Sequence, residues 1–370
     1  MIPGKSKAPS RRRNPRRLSA ASHFVTTLLA VGPVGCHSSQ GVTSPSPLAS
    51  QTYYVSKDGS DSRSCAQAQS TAAPKQTIAG GLACLTAAGD TLLIRAGTYN
   101  EAIIQTQFVS LIPSGTSWTN KVRVAAYPGE TVWVAPIGSQ SVVWLIVGSY
   151  IEFDGINMDG TNVLGAAFAT GEAAHHIRIQ NAEIIRGTAP GGGESDGVMF
   201  GAHYVVGAIG SNEAINLRVH GGDEALGYGI YLSGPNNLVD SCDIYDTSSA
   251  GVHIYNGGGD SADNNIVRNS RIHDIRRSPN GVIWGILVSG NGSQILNNTV
   301  YNIGRGDTTG AAIDIYSGQR NVVENNTVSR SHPVGIYVES GAADTVLRRN
   351  VSSDNTMDYL DRGANTSTVR

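Results

Sequence analysis

The chain reads as an all-β solenoid of stacked parallel strands, and three observations predict it: a 28-residue beat, a period-two alternation within each beat, and a polar residue at one fixed place in each turn. The segments Val239 to Ile244, Val267 to Ile272, Ile295 to Val300 and Val323 to Val328 are one phrase written four times. Around them run short stretches of the form Gly-aliphatic-x-aliphatic, beginning at Gly229, Gly251, Gly285 and Gly335, with Ala312 in place of Gly once. Alternation with period two makes these strands, not helices. A unit this short cannot bury its own apolar face, so copies must stack.

The fixed polar place holds Cys242, Ser270, Asn298, Asn326 and Asn350. Side chains of this kind at a tight turn can hydrogen-bond from coil to coil. Here the chain resembles the right-handed parallel β-helix proteins of the pectate-lyase-like superfamily, to whose internal asparagine ladder the column is similar. The resemblance implies a single-stranded right-handed parallel β-helix with its active site on the sheet formed by the Gly-aliphatic runs. Counting the last inward aliphatic of each coil (Met158, Ile184, Val219, Ile244, Ile272, Val300, Val328) and a partial final coil gives about eight coils.

Composition agrees, with 45 Gly and only 15% charged residues. Residues 1–35 read as an export signal: Lys5, Lys7, Arg11, Arg12, Arg13, Arg16 and Arg17 without an acid, then an apolar run too short and too polar to span a membrane. Arg16-Arg17 fits a generic basic leader better than a twin-arginine signal. Val34-Gly35-Cys36 looks like the end of a bacterial lipobox, although Pro33 departs from it, so lipidation of Cys36 and ordinary signal cleavage both stay open. Residues 36–52 are expected to be a disordered tether, 53–135 a cap and first coil, and 136–370 the β-helix. The expected location is secreted or at the outer cell surface of a bacterium, with membrane contact only through such a lipid anchor.

Without the signal, 20 basic residues face 29 acidic ones, a net charge of −9. That argues against a nucleic-acid partner. In an oxidising compartment Cys65 and Cys84 are the natural disulfide, and Cys242 is a buried filler.

From Tyr53 the text changes, with an amphipathic helix expected over Thr77 to Ala87. This looks like the N-terminal cap of secreted bacterial β-helices, and an open solenoid end needs such a cover. Asp58 and Asp61 around Gly59 fit a calcium corner or a plain turn. Pro190 to Asn212, with Glu194 and Asp196, reads as a long loop.

No nucleotide loop, paired-cysteine zinc pattern or nucleophile elbow is present, so candidate chemistry rests on geometry. In the Gly-aliphatic runs Ile230, Val252, Ile286, Ile313 and Ile336 point inward. Tyr231, His253, Leu287, Asp314 and Tyr337 then point outward in one column, and Ser233, Tyr255, Ser289, Tyr316 and Glu339 in the next. Aromatics beside His and carboxylates read as a saccharide groove. His253 and Asp314, with Arg276, Arg277 and Arg305 from the incoming connections, are the candidate catalytic set. Tyr231, Tyr255, Tyr316, Tyr337, Glu339 and His273 are candidate substrate contacts, His273 in a second outward column with His220, Tyr245 and Tyr301. Asp223, Glu224, Asp307 and His332 flank them.

The expected function is cleavage of an extracellular polysaccharide by a monomer, by β-elimination ahead of hydrolysis. Hydrolysis would pair Asp314 with Glu339 or Asp307. Calcium is the one cofactor the resemblance suggests. The alternative is a glycan-binding or cell-surface structural protein using the same strip without turnover.

Overall fold

The computed structural model describes residues 49–105, 112–171, 173–187, 195–201, 209–222, 226–256 and 261–369. The leader, the Cys36 site and nearly all of the tether lie outside them, as do Glu194, Asp223 and Glu224. Three parallel sheets run the length of the molecule, one of 12 strands and two of 10. One coil passes through them in turn, as Leu238–Asp240, Asp243–Tyr245 and Ala250–Ile254 do; these are called sheets one, two and three below.

The 28-residue beat becomes register. Val239 pairs with Val267, Val267 with Ile295 and Ile295 with Val323 in sheet one, so each aliphatic lies directly over its counterpart. Ile230, Val252, Ile286, Ile313 and Ile336 stack inward in sheet three, each at most 1% exposed.

Between sheets one and two the chain turns on two residues. Ser241, Asn269, Asn297, Asn325 and Arg349 take left-handed backbone with φ of 52 to 58°, a conformation that Asn adopts at low cost. The next residue builds the ladder. Cys242 N–H donates to Ser270 Oγ (3.1 Å), Ser270 N–H to Asn298 Oδ1 (3.0 Å), Asn298 N–H to Asn326 Oδ1 (2.9 Å) and Asn326 N–H to Asn350 Oδ1 (2.9 Å). A second ladder enters sheet one: Ile177 N–H donates to Asn212 Oδ1, Asn212 N–H to Asn237 Oδ1 and Asn237 N–H to Asn265 Oδ1. Cys242 is a free, buried thiol pushed up to about 12 by burial.

The structure departs from expectation in three places. Sheets two and three hold ten strands each where the count of inward aliphatics gave about eight coils, because Gly97–Tyr99 and Val132–Val134, in the segment expected to hold the cap and first coil, are both rungs of sheet two. Their spacings depart from the 28-residue beat in both directions, since Gly97 pairs with Val132 and Val132 with Ile156, which hid them from the count. The expected helix over Thr77 to Ala87 shrinks to Ile78–Leu82; Gly80 and Gly81 weaken it, and Gly81 is needed because a Cβ there would meet Val55 and Leu92. The stretch Pro190 to Asn212 contains a strand of sheet three, Val198–Phe200.

In the cap, Thr77 Oγ accepts Gly80 N–H (2.9 Å), and the Glu101 carboxylate accepts Ile78 and Ala79 N–H. Asp61 accepts Gln76 N–H, Thr77 N–H and the Thr77 hydroxyl, so the Asp58 to Asp61 segment is a turn pinned to the helix start. Cys65 and Cys84 form the disulfide.

Candidate functional site

Sheet three carries an outward column from end to end: Ile104, Leu145, Ala169, Met199, Tyr231, His253, Leu287, Asp314, Tyr337 and Leu360 pair in sequence. The predicted neighbours are in place, but the column is more closed than an open sugar strip. Tyr231, His253, Leu287 and Asp314 are 2, 7, 5 and 2% exposed.

His253 is packed among aromatic rings. Tyr228 lies 4.6 Å away, and Tyr231 and Tyr255 lie at 5.3 Å, all edge to face. Two strand spacings, about 9.6 Å, and the Leu287 side chain separate His253 from Asp314. The two candidates share a column without forming a pair.

Asp314 has other company. Trp284 points outward from the neighbouring rung, and its Nε1–H donates to Asp314 Oδ2 (2.9 Å). Asp314 Oδ1 is buried with no hydrogen-bond partner among the described residues. Burial, with the Glu339 charge added, pushes the Asp314 carboxyl up to about 7, against the opposing Trp284 hydrogen bond. An isolated buried carboxylate is costly, so the group holds its proton at near-neutral pH. A groove of about 490 Å³ opens here, with Trp284, Asp314, Tyr316, Tyr337, Glu339 and Arg362 in its walls. Burial and the Glu339 carboxylate raise the Tyr337 hydroxyl, and the Arg362 guanidinium sits 5.7 Å from the Tyr337 ring centre. Tyr316 is half exposed at the lip.

The other candidates lie elsewhere. Arg276 pairs with Asp274 (3.5 Å), Arg277 with the Asp246 carboxylate (2.8 Å) and carbonyl (2.6 Å), and Arg305 with Asp307 (2.9 Å). All three stand in the connections from sheet two to sheet three, and none lines the groove. His273 is on sheet two, with Nδ1 2.7 Å from Asp274 Oδ2 and Nε2 3.1 Å from Asp243 Oδ1, carboxylate oxygens that accept from the ring. It belongs to a face-to-face stack of His220, Tyr245, His273 and Tyr301 with centroids 4.8 to 5.1 Å apart. His332 bonds Thr356, and Asp196 accepts the Tyr228 N–H. No three His, Cys, Asp or Glu among the described residues are grouped to hold a metal.

Three residues of consequence escaped the sequence reading. Trp284 lies two positions before Ile286, where unbroken alternation would turn it inward; the phase instead shifts at Gly285, with Ile283 and Ile286 both in the core and Trp284 outside. Arg362 sits in the final coil, outside the repeat. Arg186 is wholly buried and donates to the carbonyls of Gly221 (3.1 Å) and Ser195 (2.9 Å). Its room depends on Gly222 and Gly227, where a Cβ would lie 2.1 Å from the guanidinium nitrogens.

Comparison with known proteins gives the following. The family model described as right handed beta helix region matches residues 154–356. Among curated proteins none matches the chain. Pectate lyase Pel9A superposes with a TM-score of 0.57 at 15% identity, over 85% of this chain and 79% of its own. XylC, solved in complex with xylose, gives 0.51 at 12%, over 84% and 70%. A lacto-N-biosidase from Eubacterium ramulus gives 0.50 at 10%, over 86% and 68%. At these identities the likeness is one of fold.

Proposed function

We propose that this chain, which belongs to the right-handed β-helix family and is of the pectate-lyase-like type, is an exported enzyme that hydrolyses a polysaccharide in the groove at Asp314. The observation that carries the reading is a carboxyl 2% exposed, held near pH 7, with one oxygen unclaimed at the wall of an aromatic-lined groove. A proton available at neutral pH suits a general acid. Asp314 would donate it to the glycosidic oxygen as the C–O bond breaks. Glu339, close enough for its charge to raise Asp314, is the second carboxylate that hydrolysis requires, to activate water or to attack the anomeric carbon. Trp284 fixes the Asp314 oxygen it bonds, and Tyr316 and Tyr337 offer ring surface to a sugar. The Cys65–Cys84 bridge supports export.

One observation favours the elimination expected from the sequence. Arg362 stands in the groove and could face the carboxylate of an acidic sugar, with Asp314 then taking a proton instead of giving one. Arg276, Arg277 and Arg305, expected in the catalytic set, pair with Asp274, Asp246 and Asp307.

The test is incubation of the protein with neutral glycans and polyuronates, following new reducing ends and absorbance from unsaturated ends. Hydrolysis gives the first signal alone, and elimination gives both. Asp314→Asn and Glu339→Gln should each lower the rate by about 100-fold or more. Glycan retention with neither signal would replace the proposal with a binding role.

A further inference from the structure

We propose that His175 and His176, remote from the groove at the start of an interior strand of sheet one, His175–Gln180, form a two-coordinate site for a univalent closed-shell metal ion, copper(I) by chemistry. Their Nδ1 atoms are 2.7 Å apart. The ring centroids are 5.0 Å apart at 81°, a separation that two ring radii and the 2.7 Å gap reach only when the nitrogens point straight at each other. Successive residues of a strand normally face opposite ways. Here His175 pairs with Ser149 and Ile177 with Ile151, and His176 is the intervening residue at φ 54°, which swings its ring to the side of His175.

The backbone does not ask for a histidine at this place. The same position in later coils is Ser211, Asn236 and Asn264, all with φ near 58°, residue types for which left-handed backbone is cheap. Tyr150 fills it one coil earlier, at φ 51°, and stacks on His176 with centroids 4.5 Å apart. Trp118 closes the far side, 5.8 Å from Tyr150 and 6.3 Å from His176. The pair is therefore walled by aromatic faces, which favour a cation. The charged groups facing it are Glu213, whose field acts on His176, and Arg178, which lies 4.1 Å over Trp118 and is bonded to Glu213 and Glu152.

No third His, Cys, Asp or Glu among the described residues joins the two imidazoles. A divalent ion that demands four or more protein ligands is poorly served. An ion content with two nitrogens in line fits, and imidazole suits copper. At a metal–imidazole bond of about 2.0 Å the nitrogens must part to roughly 4 Å, an opening of about 1.3 Å by rotation of two half-buried side chains. As the metal enters, the proton shared between the Nδ1 atoms moves to Nε2, so each ring keeps one proton and none is released.

The test uses the full chain with Cys36→Ser, to remove a competing thiol, titrated anaerobically with copper(I) against a chromogenic copper(I) chelator, and in parallel with silver(I) and zinc(II). Copper(I) and silver(I) should each occupy one site that zinc(II) does not, with X-ray absorption showing two nitrogen neighbours. His175→Asn and His176→Asn should each weaken binding by more than the roughly 100-fold at the upper end of what loss of a ligand-orienting partner costs. Asn is the residue later coils use at the His176 position, so circular dichroism should show that variant folded. Unchanged binding in folded His176→Asn, or sulfur in the absorption spectrum, would overturn the site. Glycan cleavage should be unaffected by either variant, which separates this outcome from any result at Asp314.

Discussion

Replacing Asp314 by Asn should make the protein more stable, and only at higher pH. The carboxyl is raised from 3.8 to about 7 in the fold. Between those values the folded state keeps a proton that the unfolded chain has lost, so the stability attributable to this group falls as pH rises through the window and stays low above it. About three units at 1.36 kcal/mol each amount to roughly 4 kcal/mol. Asn is neutral throughout and retains an oxygen for the Trp284 N–H, so the variant escapes the penalty without losing the bond. At pH 8 it should gain about 4 kcal/mol over the parent, and at pH 4 almost nothing. With ordinary unfolding entropy over roughly 320 folded residues, 1 kcal/mol moves the melting point by about 1.5 °C, so thermal scans at pH 8 should differ by about 6 °C. An equal shift at both pH values, or a less stable variant at pH 8, would refute the account of Asp314 as a buried acid. A residue that costs stability where it sits is what a working site contains.

If Asp314 acts as the acid, the cleavage rate should fall as pH rises through about 7; a rate that climbs through the same value would make it a base and favour elimination. Trp284→Phe removes the hydrogen bond that favours the ionised form, and should move that limb to higher pH in a pH–rate profile. Asn298→Ala orphans the Ser270 N–H and the Val267 carbonyl inside the stack, a loss of about 3 kcal/mol in urea unfolding. Cys84→Ser opens a bridge between residues 19 apart and should cost about 3 kcal/mol, read as earlier proteolysis of the cap, with cleavage of glycan unchanged.

The regular coils were legible because register follows directly from repetition: once Val267 lies over Val239, Ser270 must lie over Cys242, and aligning the Gly-aliphatic runs puts Asp314 in one column with His253. Two things escaped. Where coils vary in length, as from Gly97 to Val134, no beat marks the rung. The second gap is lateral. The sequence says that His253 and Asp314 face the same way, but which side chains crowd around each depends on neighbours such as Tyr228 and Trp284 that enter from outside the Gly-aliphatic motif. Crowding turned an expected open strip into a nearly closed one, with His253 packed among aromatic rings and Asp314 at the wall of a groove. The arginines stand away from the groove for a related reason: each has an acid within a few residues or one coil away and pairs with it.

A ladder in which every rung touches only the rungs above and below has a further meaning for change by mutation. Damage near the disulfide has no short route to Asp314, since their rungs are separated by many coils and share no partner. Losses at the two ends should therefore add as independent sums, and variation can accumulate in the cap without retuning the acid. Arg186 shows the same reach from inside the stack: it holds Ser195 of its own coil and Gly221 of the next, so a substitution there is felt in those two coils.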